Sequence, residues 1–468
     1  TSDVFEYLCH YLFNQMSANQ GIKKHGQVAV DALLKEFAQL DDLTIFRGIH
    51  ASSLTPTQKR EALRAINLIK EKRCGRIKGR TVADGRSQRK KYEKQNITSP
   101  TVTNEGLMMS LVINAMEERA VGTADVPGAY LHAEMDDFVV LKLTGHMVDI
   151  FCEMNSDYKQ YVTIENGTKV LYLQLLKALY GCIKSAMLWY NLFTDTLKGQ
   201  GFVLNPYDPC VANKMVNGKQ CTIVWYVDDL KASHAEEQVV RDIFGILEKR
   251  FGGLTTTIGN EHTYLGMNIL FPGNRTVEIR MNDHIQEAID AFNGDISKGV
   301  QTPAGKGLFE LDLDSNPLSK TEAELFHHIV AKLLYVCKRC RLDIGLAIAF
   351  LCTRVSKSTN EDKEKLRRLL RYLERTKQEH LTLGATSFTT ISGYIDAAYA
   401  VHPDRKSHTG GCITFGRGTL MMKSEKQKLN TKSSTEAEVV GNSDLAPDAI
   451  WAQRFLSAQG YDLKVELP

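Results

Sequence analysis

The residues with the clearest capacity for chemistry are two adjacent aspartates, Asp228 and Asp229, which follow the apolar run 222–227. The β-branched and aromatic residues of this run predict a buried strand that ends at the two carboxylates, and a second short strand follows them. Two carboxylates at the tip of a buried hairpin are costly unless a cation lies beside them, and a divalent metal ion would supply that charge. For this stretch taken alone, a solvated Asp-Asp turn is the alternative interpretation.

A third aspartate, Asp125, ends another predicted strand, 123–126, and small residues follow it. By itself such a residue is commonly a helix cap. If the two strands are neighbours in a sheet, however, three carboxylates converge, and they could hold two divalent ions about 4 Å apart for an in-line displacement at phosphorus. Since successive strand residues point to opposite faces, we expect Asp228 and Asp229 to be unequal ligands.

A second acidic group lies near the C-terminal end of the sequence. Asp396 is in the middle of the predicted strand 391–400, and Glu436 and Glu438 are at the start of a predicted helix. An acid in mid-strand that faces an acid on a packed helix is another metal-site pattern. Acidic residues in a first helical turn are also ordinary capping residues, and this alternative is strongest for Glu438.

The composition is that of a globular protein with several domains, because 468 residues exceed one typical domain. No apolar run approaches the roughly 20 residues that span a membrane. Ten cysteines without a framework spacing favour reduced thiols in an intracellular compartment. The net charge is only +3, but segment 59–94 carries fourteen basic residues against four acidic ones, which favours a polyanionic partner over a merely solvated surface.

The elements that must position these residues change in type along the chain. A mixed α/β region is followed by a mainly helical stretch, 282–383, and then by a strand meander with two helices. The predicted helices are 1–42 in large part, 58–72, 104–119, 176–198 with a break near Gly181, 236–251, 320–340, 342–355, 360–375, 434–445 and 448–459. The predicted strands are 76–82, 123–126, 138–143, 170–175, 222–227, 263–271, 276–281, 391–400, 410–415 and 419–423. We therefore predict an α+β fold.

The motifs, in their order, resemble one family. Tyr226 to Asp229 resembles the tyrosine-x-Asp-Asp box of reverse transcriptases, and the order of the pieces resembles the polymerase of copia-type LTR retrotransposon polyproteins. The segments that carry the resemblance are 123–133, 176–181 with Trp189 and Tyr190, 264–267, 405–411, 423–427 and 433–438. The last three resemble a ribonuclease H domain. Together the motifs extend over nearly all of the sequence from about Val28 to Tyr461.

The resemblance implies a right-hand polymerase with fingers, palm and thumb, then a helical connection and an incomplete ribonuclease H-like α/β module. Its implied segments are an N-terminal helical arm at 1–50, fingers and palm at 51–283, thumb and connection at 284–386, and ribonuclease H at 387–468. It implies a nucleotidyltransferase that extends a DNA primer on an RNA template with deoxynucleoside triphosphates and binds the RNA/DNA hybrid.

The resemblance also assigns residues. Asp125, Asp228 and Asp229, with the Val126 carbonyl, would hold two Mg²⁺ or Mn²⁺ ions, with Asp228 as the main ligand. Tyr130 would be the gate that excludes a 2′-hydroxyl. The residues implied to bind substrate are Arg80 and Lys78 with Lys72 and Arg73 for the triphosphate, Lys184 near the nucleotide or template, and Tyr264 and Gly266 in the primer grip. Asp396 and Glu436 would be catalytic acids and metal ligands of the ribonuclease H site.

Two departures from the family pattern qualify these expectations. The first is that Lys184 stands where the family usually has a glutamine. The second is that the further ribonuclease H aspartates are expected beyond Pro468, so we expect a nuclease with little or no activity, whose sheet has an open edge. The alternatives are a catalytically degenerate RNA- and DNA-binding remnant, or a metal-dependent nuclease only. We expect no membrane partner and an intracellular location, in cytoplasmic virus-like particles or the nucleus. The oligomeric state does not follow from the sequence.

Overall fold

The computed structural model of the chain describes residues 15–71, 75–93, 97–292, 294–386 and 388–467. Two residues expected to bind triphosphate, Lys72 and Arg73, lie outside the described residues. In this part of the chain the α-helices are α1 Ala18–His25, α2 Gln27–Asp42, α3 Pro56–Glu61, α4 Asn104–Met116, α5 His146–Met154, α6 Ser185–Gly199, α7 Glu237–Phe251, α8 Asn282–Ala291, α9 Lys320–Cys337, α10 Gly345–Cys352, α11 Asn360–Arg375 and α12 Ser434–Ala458. None of them is both long and apolar enough to cross a membrane.

The strands, in chain order, form four sheets. They are β1 Gln15–Ser17, β2 Phe46–Ile49, β3 Leu63–Glu71, β4 Ile77–Ala83, β5 Ala120–Asp125, β6 Glu134–Thr144, β7 Thr163–Glu165, β8 Thr168–Lys177, β9 Val203–Asn205, β10 Asp208–Val216, β11 Lys219–Tyr226, β12 Asp229–His234, β13 Thr255–Gly259, β14 Glu261–Tyr264, β15 Met267–Leu270, β16 Thr276–Arg280, β17 Leu381–Ala385, β18 Thr390–Ala398, β19 His408–Thr414, β20 Gly416–Arg417, β21 Met421–Lys426 and β22 Lys464–Glu466. The mixture of helices and antiparallel sheets confirms the predicted α+β class.

The chain divides into two compact units, and the first consists of Thr1–Pro100 and Val126–Gln200. Its sheet has the order β1-β3-β6-β8-β2, with β4 on the other edge of β3 and β7 beside β8. Helix α2 packs on β4 and buries Leu33 and Phe37 in a core shared with Phe151 and Leu173. The described part of the predicted N-terminal helical arm, 15–50, therefore contributes to this unit's core.

One helix predicted in the first unit is wrong, and another begins later than predicted. The apolar spacing in 58–72 indicated one basic helix, but α3 ends at Glu61 and β3 follows, because β4 pairs with Ala65 to Glu71 and the sheet buries Leu63 and Ile69. The predicted helix 176–198 begins only at Ser185.

The segment before α6 is held as a loop by contacts with the end of β4. Ala83 N–H donates to the Tyr180 carbonyl over 2.7 Å. Gly181 has a φ of +88°, and a Cβ there would lie 2.0 Å from the Ala83 carbonyl oxygen. Only glycine meets both requirements, so the conformation of Gly181 prevents the helix from starting earlier.

The second unit consists of Thr101–Asp125 and Gly201–Pro468. Its largest sheet has the order β13-β5-β12-β11-β10-β9, and α7 packs on β5 and β12. Gly122 permits this close packing, because a Cβ there would lie 2.6 Å from Phe244 and 2.8 Å from Val240. The other two sheets have the orders β14-β15-β16-β17-β20 and β21-β19-β18-β22.

The segments 284–386 and 387–468 belong to the same compact unit as the six-stranded sheet. The predicted helical stretch contains α8 to α11. The predicted strand 263–271 is the hairpin of β14 and β15, with Leu265 and Gly266 at positive φ in its two-residue turn.

Two further predictions in the second unit are wrong. The helices predicted at 434–445 and 448–459 are the single helix α12, which continues through Pro447. The sheet edge expected to be open is partly occupied, because β22 pairs in parallel with Thr390 to Ser392 of β18. The rest of β18 on that side has no strand partner among the described residues.

Candidate active site

The adjacent aspartates lie at the tip of the hairpin formed by β11 and β12, as the apolar run predicted. Tyr226 pairs with Asp229, so Val227 and Asp228 are the two central residues of the turn. Val227 has a φ of +59°. A β-branched residue in this region is an outlier whose strain costs on the order of 1–3 kcal/mol, and such strain is concentrated at functional sites.

The strand that carries the third aspartate lies beside this hairpin. Strand β5 pairs antiparallel with β12 along its whole length, and Asp125 is directly opposite Asp229. Residues directly opposite in an antiparallel pair place their side chains on the same face, about 5 Å apart at Cβ. The two carboxylates therefore meet at one end of the sheet, and Asp228 lies next to them in the turn.

The pKa of Asp229 is raised in part by the other two carboxylates. Partial burial, together with the negative charges of Asp228 and Asp125, raises the pKa of Asp229 to about 6. The structure thus distinguishes the adjacent aspartates: Asp229 pairs in the ladder opposite Asp125, whereas Asp228 is in the turn. The assignment of Asp228 as the main metal ligand stays a prediction.

The chemistry of this donor set fits divalent cations. Hard cations such as Mg²⁺ prefer carboxylate and carbonyl oxygens, and three mutually repelling carboxylates gain the most from a shared cation. Within the described residues, no group of three or more His, Cys, Asp or Glu side chains is close enough together to hold a metal ion. The carboxylates would have to approach one another, at a cost that the cation's charge offsets.

A buried tyrosine is hydrogen-bonded to the hairpin formed by β11 and β12. Tyr264, which the resemblance placed in a primer grip, donates its hydroxyl to the Asp229 carbonyl over 3.1 Å. The hydroxyl stays protonated, because burial and the Asp229 charge raise the pKa of Tyr264 well above its ordinary value.

The turn of the β14–β15 hairpin makes a second connection. Tyr335 of α9 donates to the Leu265 carbonyl over 2.7 Å. At the other turn residue, Gly266, a Cβ would lie 2.8 Å from His284 Cε1. The β14–β15 hairpin therefore links the aspartate turn to α9.

One residue beneath the site was not singled out by sequence reasoning. Lys231 on β12 is buried, and its Nζ donates to Ser110 Oγ over 2.9 Å. Burial and the nearby Arg119 lower the pKa of Lys231 to about 7. The available signal was a lysine whose immediate neighbours in the strand, Leu230, Ala232 and Ser233, are apolar or small.

The first unit places the expected gate and triphosphate ligand in one stack. The Arg80 guanidinium lies 4.2 Å from the ring centre of Tyr180, and the rings of Tyr180 and Tyr130 are 5.0 Å apart. Lys78 and Arg80 alternate with buried residues of β4 and share its more exposed face. Tyr180 lies within the motif 176–181, which carries no predicted role for it, and it contacts both Arg80 and Tyr130.

Lys184 is engaged in ion pairs within the first unit. Its Nζ contacts Asp136, and it lies 3.2 Å from Asp137, which also accepts a hydrogen bond from the Tyr92 hydroxyl over 2.7 Å. Burial lowers the pKa of Lys184, but the bonds to the two aspartates outweigh it and raise the pKa overall. These contacts do not favour the predicted role of Lys184 in binding substrate.

The C-terminal acids have different partners from those expected. Glu438 Oε1 accepts the Ala397 N–H over 3.1 Å, whereas Glu436 Oε2 accepts the Lys432 N–H of its own loop over 2.5 Å. Glu436 is thus the helix-terminal acid and Glu438 the one that reaches β18, the reverse of the predicted roles. Asp396 is exposed while Ala397 is buried, so strand alternation directs the Asp396 carboxylate away from the α12 face.

Comparisons with known proteins give one family match. The family described as reverse transcriptase (RNA-dependent DNA polymerase) matches residues 58–306. The chain is 28% identical over 397 residues to a retrovirus-related Pol polyprotein from transposon TNT 1-94 of Nicotiana tabacum, covering 83% of this chain and 28% of that protein. It is 26% identical over 324 residues to a putative transposon Ty5-1 protein of Saccharomyces cerevisiae, covering 68% of this chain and 98% of that protein.

This chain therefore spans little more than a quarter of the tobacco relative's length. Among solved structures, it is similar to the native prototype foamy virus protease-reverse transcriptase, with a TM-score of 0.31 and 13% identity. That similarity covers 93% of this chain and 48% of the foamy virus chain.

Proposed function

Because this chain belongs to the reverse transcriptase (RNA-dependent DNA polymerase) family, we propose that it extends a DNA primer on an RNA template. The family match and the two transposon relatives confirm the resemblance to reverse transcriptases of copia-type LTR retrotransposons. In the proposed reaction, the primer 3′-hydroxyl attacks the α-phosphate of a deoxynucleoside triphosphate, and pyrophosphate leaves.

One observation carries this proposal, namely the register that sets Asp229 opposite Asp125 with Asp228 in the adjoining turn. We propose that these carboxylates, with the Val126 carbonyl, hold two Mg²⁺ or Mn²⁺ ions. When bound, the ions would activate the 3′-hydroxyl and neutralise charge at the reacting phosphate. The hydrogen bond from Tyr264 to the Asp229 carbonyl keeps the hairpin in position during this step.

The remaining expected residues receive roles by the resemblance. Arg80 and Lys78 would contact the triphosphate, with Lys72 and Arg73 as further cations, and Tyr130 would exclude the 2′-hydroxyl. The stack of Arg80, Tyr180 and Tyr130 supports a common nucleotide-binding role in the first unit. The basic segment 59–94 supports binding of the template, primer and hybrid through their phosphates. Tyr264 and Gly266 would support the primer end.

The sheet β21-β19-β18-β22 and α12 would form a ribonuclease H-like module. Asp396 would be one catalytic acid of this module, and Glu438, in place of Glu436, would be its catalytic glutamate. This module, the implied segments 1–50, 51–283, 284–386 and 387–468, an intracellular location and a role in transposition are proposals. The alternative for the whole chain is a remnant that binds RNA and DNA without extending a primer.

The test is primer extension on an RNA template with Mg²⁺, using the wild type, Asp228→Asn and Asp125→Asn. We expect each variant to lose at least about a hundredfold in rate, because each removes a ligand for charge that develops in the reaction. Asp242→Asn, which changes an exposed carboxylate on α7, is the matched control and should keep full activity.

Hybrid binding, measured in parallel, distinguishes the two candidate functions. An inactive wild type that still binds the hybrid would support the remnant. Equal extension by wild type and Asp228→Asn would refute the assignment of the site.

A further inference from the structure

The first unit contains a cavity of about 570 Å³, which is lined in part by the basic segment 59–94 that the proposed function assigns to nucleic-acid binding. It lies along one edge of β3, and its lining includes the starts of α1 and α5. None of the residues expected to act in polymerisation or nuclease chemistry lines it. The cavity is therefore a candidate for a separate binding site.

The cavity coincides with a gap in the sheet. On this edge, β3 pairs with β6 at Leu63 and Arg64, and with β1 from Leu68 onward. Between these pairings, Ala65 to Asn67 pair only with β4, on the opposite edge. Backbone polar groups on the open edge need other partners, so the gap can bind a polar ligand.

A buried amide donor lines this gap. Asn67 is only 8% exposed, and its Oδ1 accepts the Thr81 hydroxyl over 2.9 Å, which fixes the orientation of the amide. The Nδ2 group has no hydrogen-bond acceptor among the described residues. Because Asn67 lines the cavity, a ligand oxygen there can accept a hydrogen bond from this amide.

Two helices begin at the same cavity and add backbone donors. Ala18 and Asn19 form the first turn of α1, and His146 and Met147 the first turn of α5. The first N–H groups of a helix have no partner within it. At α1 the Ser17 side chain already accepts the Gln20 N–H, which leaves the N–H groups of Ala18 and Asn19, whereas Gly145 supplies no side-chain cap for α5. Together with the positive end of each helix dipole, these groups favour an anion.

The charged side chains of the lining are mainly cationic. Arg64 is exposed, and its positive charge contributes to the lowered pKa of Asp84 in the same lining. Arg86 also lines the cavity and pairs with Asp84 over 2.6 Å, and this bond holds the pKa of Asp84 below its ordinary value. Asp84 is the only carboxylate among the described lining residues, so an anion meets a net positive surface.

We propose that this cavity binds a phosphate group, from either a free phosphate compound or a nucleic-acid strand. Arg64 and the Asn67 amide contact the phosphate oxygens, and the first N–H groups of α1 and α5 supply the remaining donors. Guanidinium groups bind phosphate through two parallel hydrogen bonds, which suits Arg64 at the mouth of the gap. The volume accommodates a nucleotide-sized ligand.

The test is calorimetric titration of the full chain in EDTA, which keeps divalent metal from the polymerase carboxylates. The probes are inorganic phosphate, an unphosphorylated tetraribonucleotide and the same tetranucleotide with a 5′-phosphate. We expect Arg64→Gln and Asn67→Leu each to weaken binding by about tenfold, since each removes a donor from the same oxygens. Lys35→Gln, a change to an exposed cation on α2 outside both the cavity and the basic segment 59–94, is the control.

The probes separate the two sources of phosphate. Tighter binding of both tetranucleotides than of inorganic phosphate indicates a strand backbone, whereas a gain only with the 5′-phosphate indicates a terminal phosphate. The proposal is refuted if no probe binds, or if binding is unchanged in both Arg64→Gln and Asn67→Leu. Since Arg64 is exposed, that variant should fold normally even if Asn67→Leu does not. Primer extension is not measured, so the proposed polymerase function is tested separately.

Discussion

Asp229 on β12 lies directly opposite Asp125 on β5, and the negative charges of Asp125 and Asp228 contribute to the raised pKa of Asp229. The repulsion among the three carboxylates has a consequence for stability. A folded-state pKa of about 6 exceeds the ordinary value of 3.8, so the folded protein binds more protons at Asp229 than the unfolded chain does between about pH 4 and pH 6. The contribution of Asp229 to the free energy of unfolding therefore falls as the pH rises through that window.

Asp229→Asn should accordingly stabilise the metal-free protein at pH 7 and above. We expect a gain of about 1 kcal/mol in the free energy of unfolding, a value reduced for solvent screening because Asp229 is only half-buried. The gain should shrink toward zero below pH 4, where the wild-type carboxyl is protonated in both states. Thermal unfolding in EDTA at several pH values measures it, with Asp242→Asn as the control. A destabilised variant at pH 7 would contradict the coupling of the three carboxylates.

The ring of Tyr180 contacts both Arg80 and Tyr130, so Tyr180→Leu should remove the cation–π contact with Arg80 and the ring contact with Tyr130. We expect a higher KM for deoxynucleotides and weaker rejection of ribonucleotides, because stacked aromatic and cation–π contacts contribute about 1 kcal/mol each. Tyr180→Phe keeps the ring and should behave like the wild type. Steady-state incorporation of deoxy- and ribonucleotides is the measurement. Equal selectivity in Tyr180→Leu and the wild type would rule out this positioning role.

Lys184→Gln should affect stability more than substrate binding. The variant leaves Asp136 and Asp137 without their shared cation, and we expect a loss of about 1 kcal/mol in the free energy of unfolding. The KM for deoxynucleotides should stay within about twofold of the wild type. Lys198→Gln, which removes an exposed helical ion pair, is the control. A large rise in KM without loss of stability would restore the substrate-binding role.

Glu438 and Glu436 can be separated by their effects on hydrolysis of the RNA strand. Glu438 bonds to the residue after Asp396, whereas Glu436 bonds to its own loop. In any preparation of this module that cleaves the RNA of a hybrid, Glu438→Gln should abolish cleavage and Glu436→Gln should leave most of it. The opposite pattern would show that the glutamates exchange partners when the hybrid binds.

The residues that carry chemistry could be identified from the sequence because local patterns determine them. A run of β-branched residues that ends in two aspartates predicts a strand and a turn wherever it lies. The strand at Asp125 and the helical character of α8 to α11 were predictable for the same reason. The motifs in series also indicated the family, since several independent matches in order are more specific than any one of them.

Only the tertiary structure decided which residues face one another. Local spacing supported a helix at 58–72, but pairing with β4 makes most of it a strand, and the contact of Gly181 with Ala83 replaces a predicted helix with a loop. Neither the ion pairs of Lys184 nor the exchange between Glu436 and Glu438 follows from spacing, because these contacts join residues 41 to 48 positions apart in the sequence. Local sequence thus determined the type of each element, whereas register and long-range packing determined the partners of each charge.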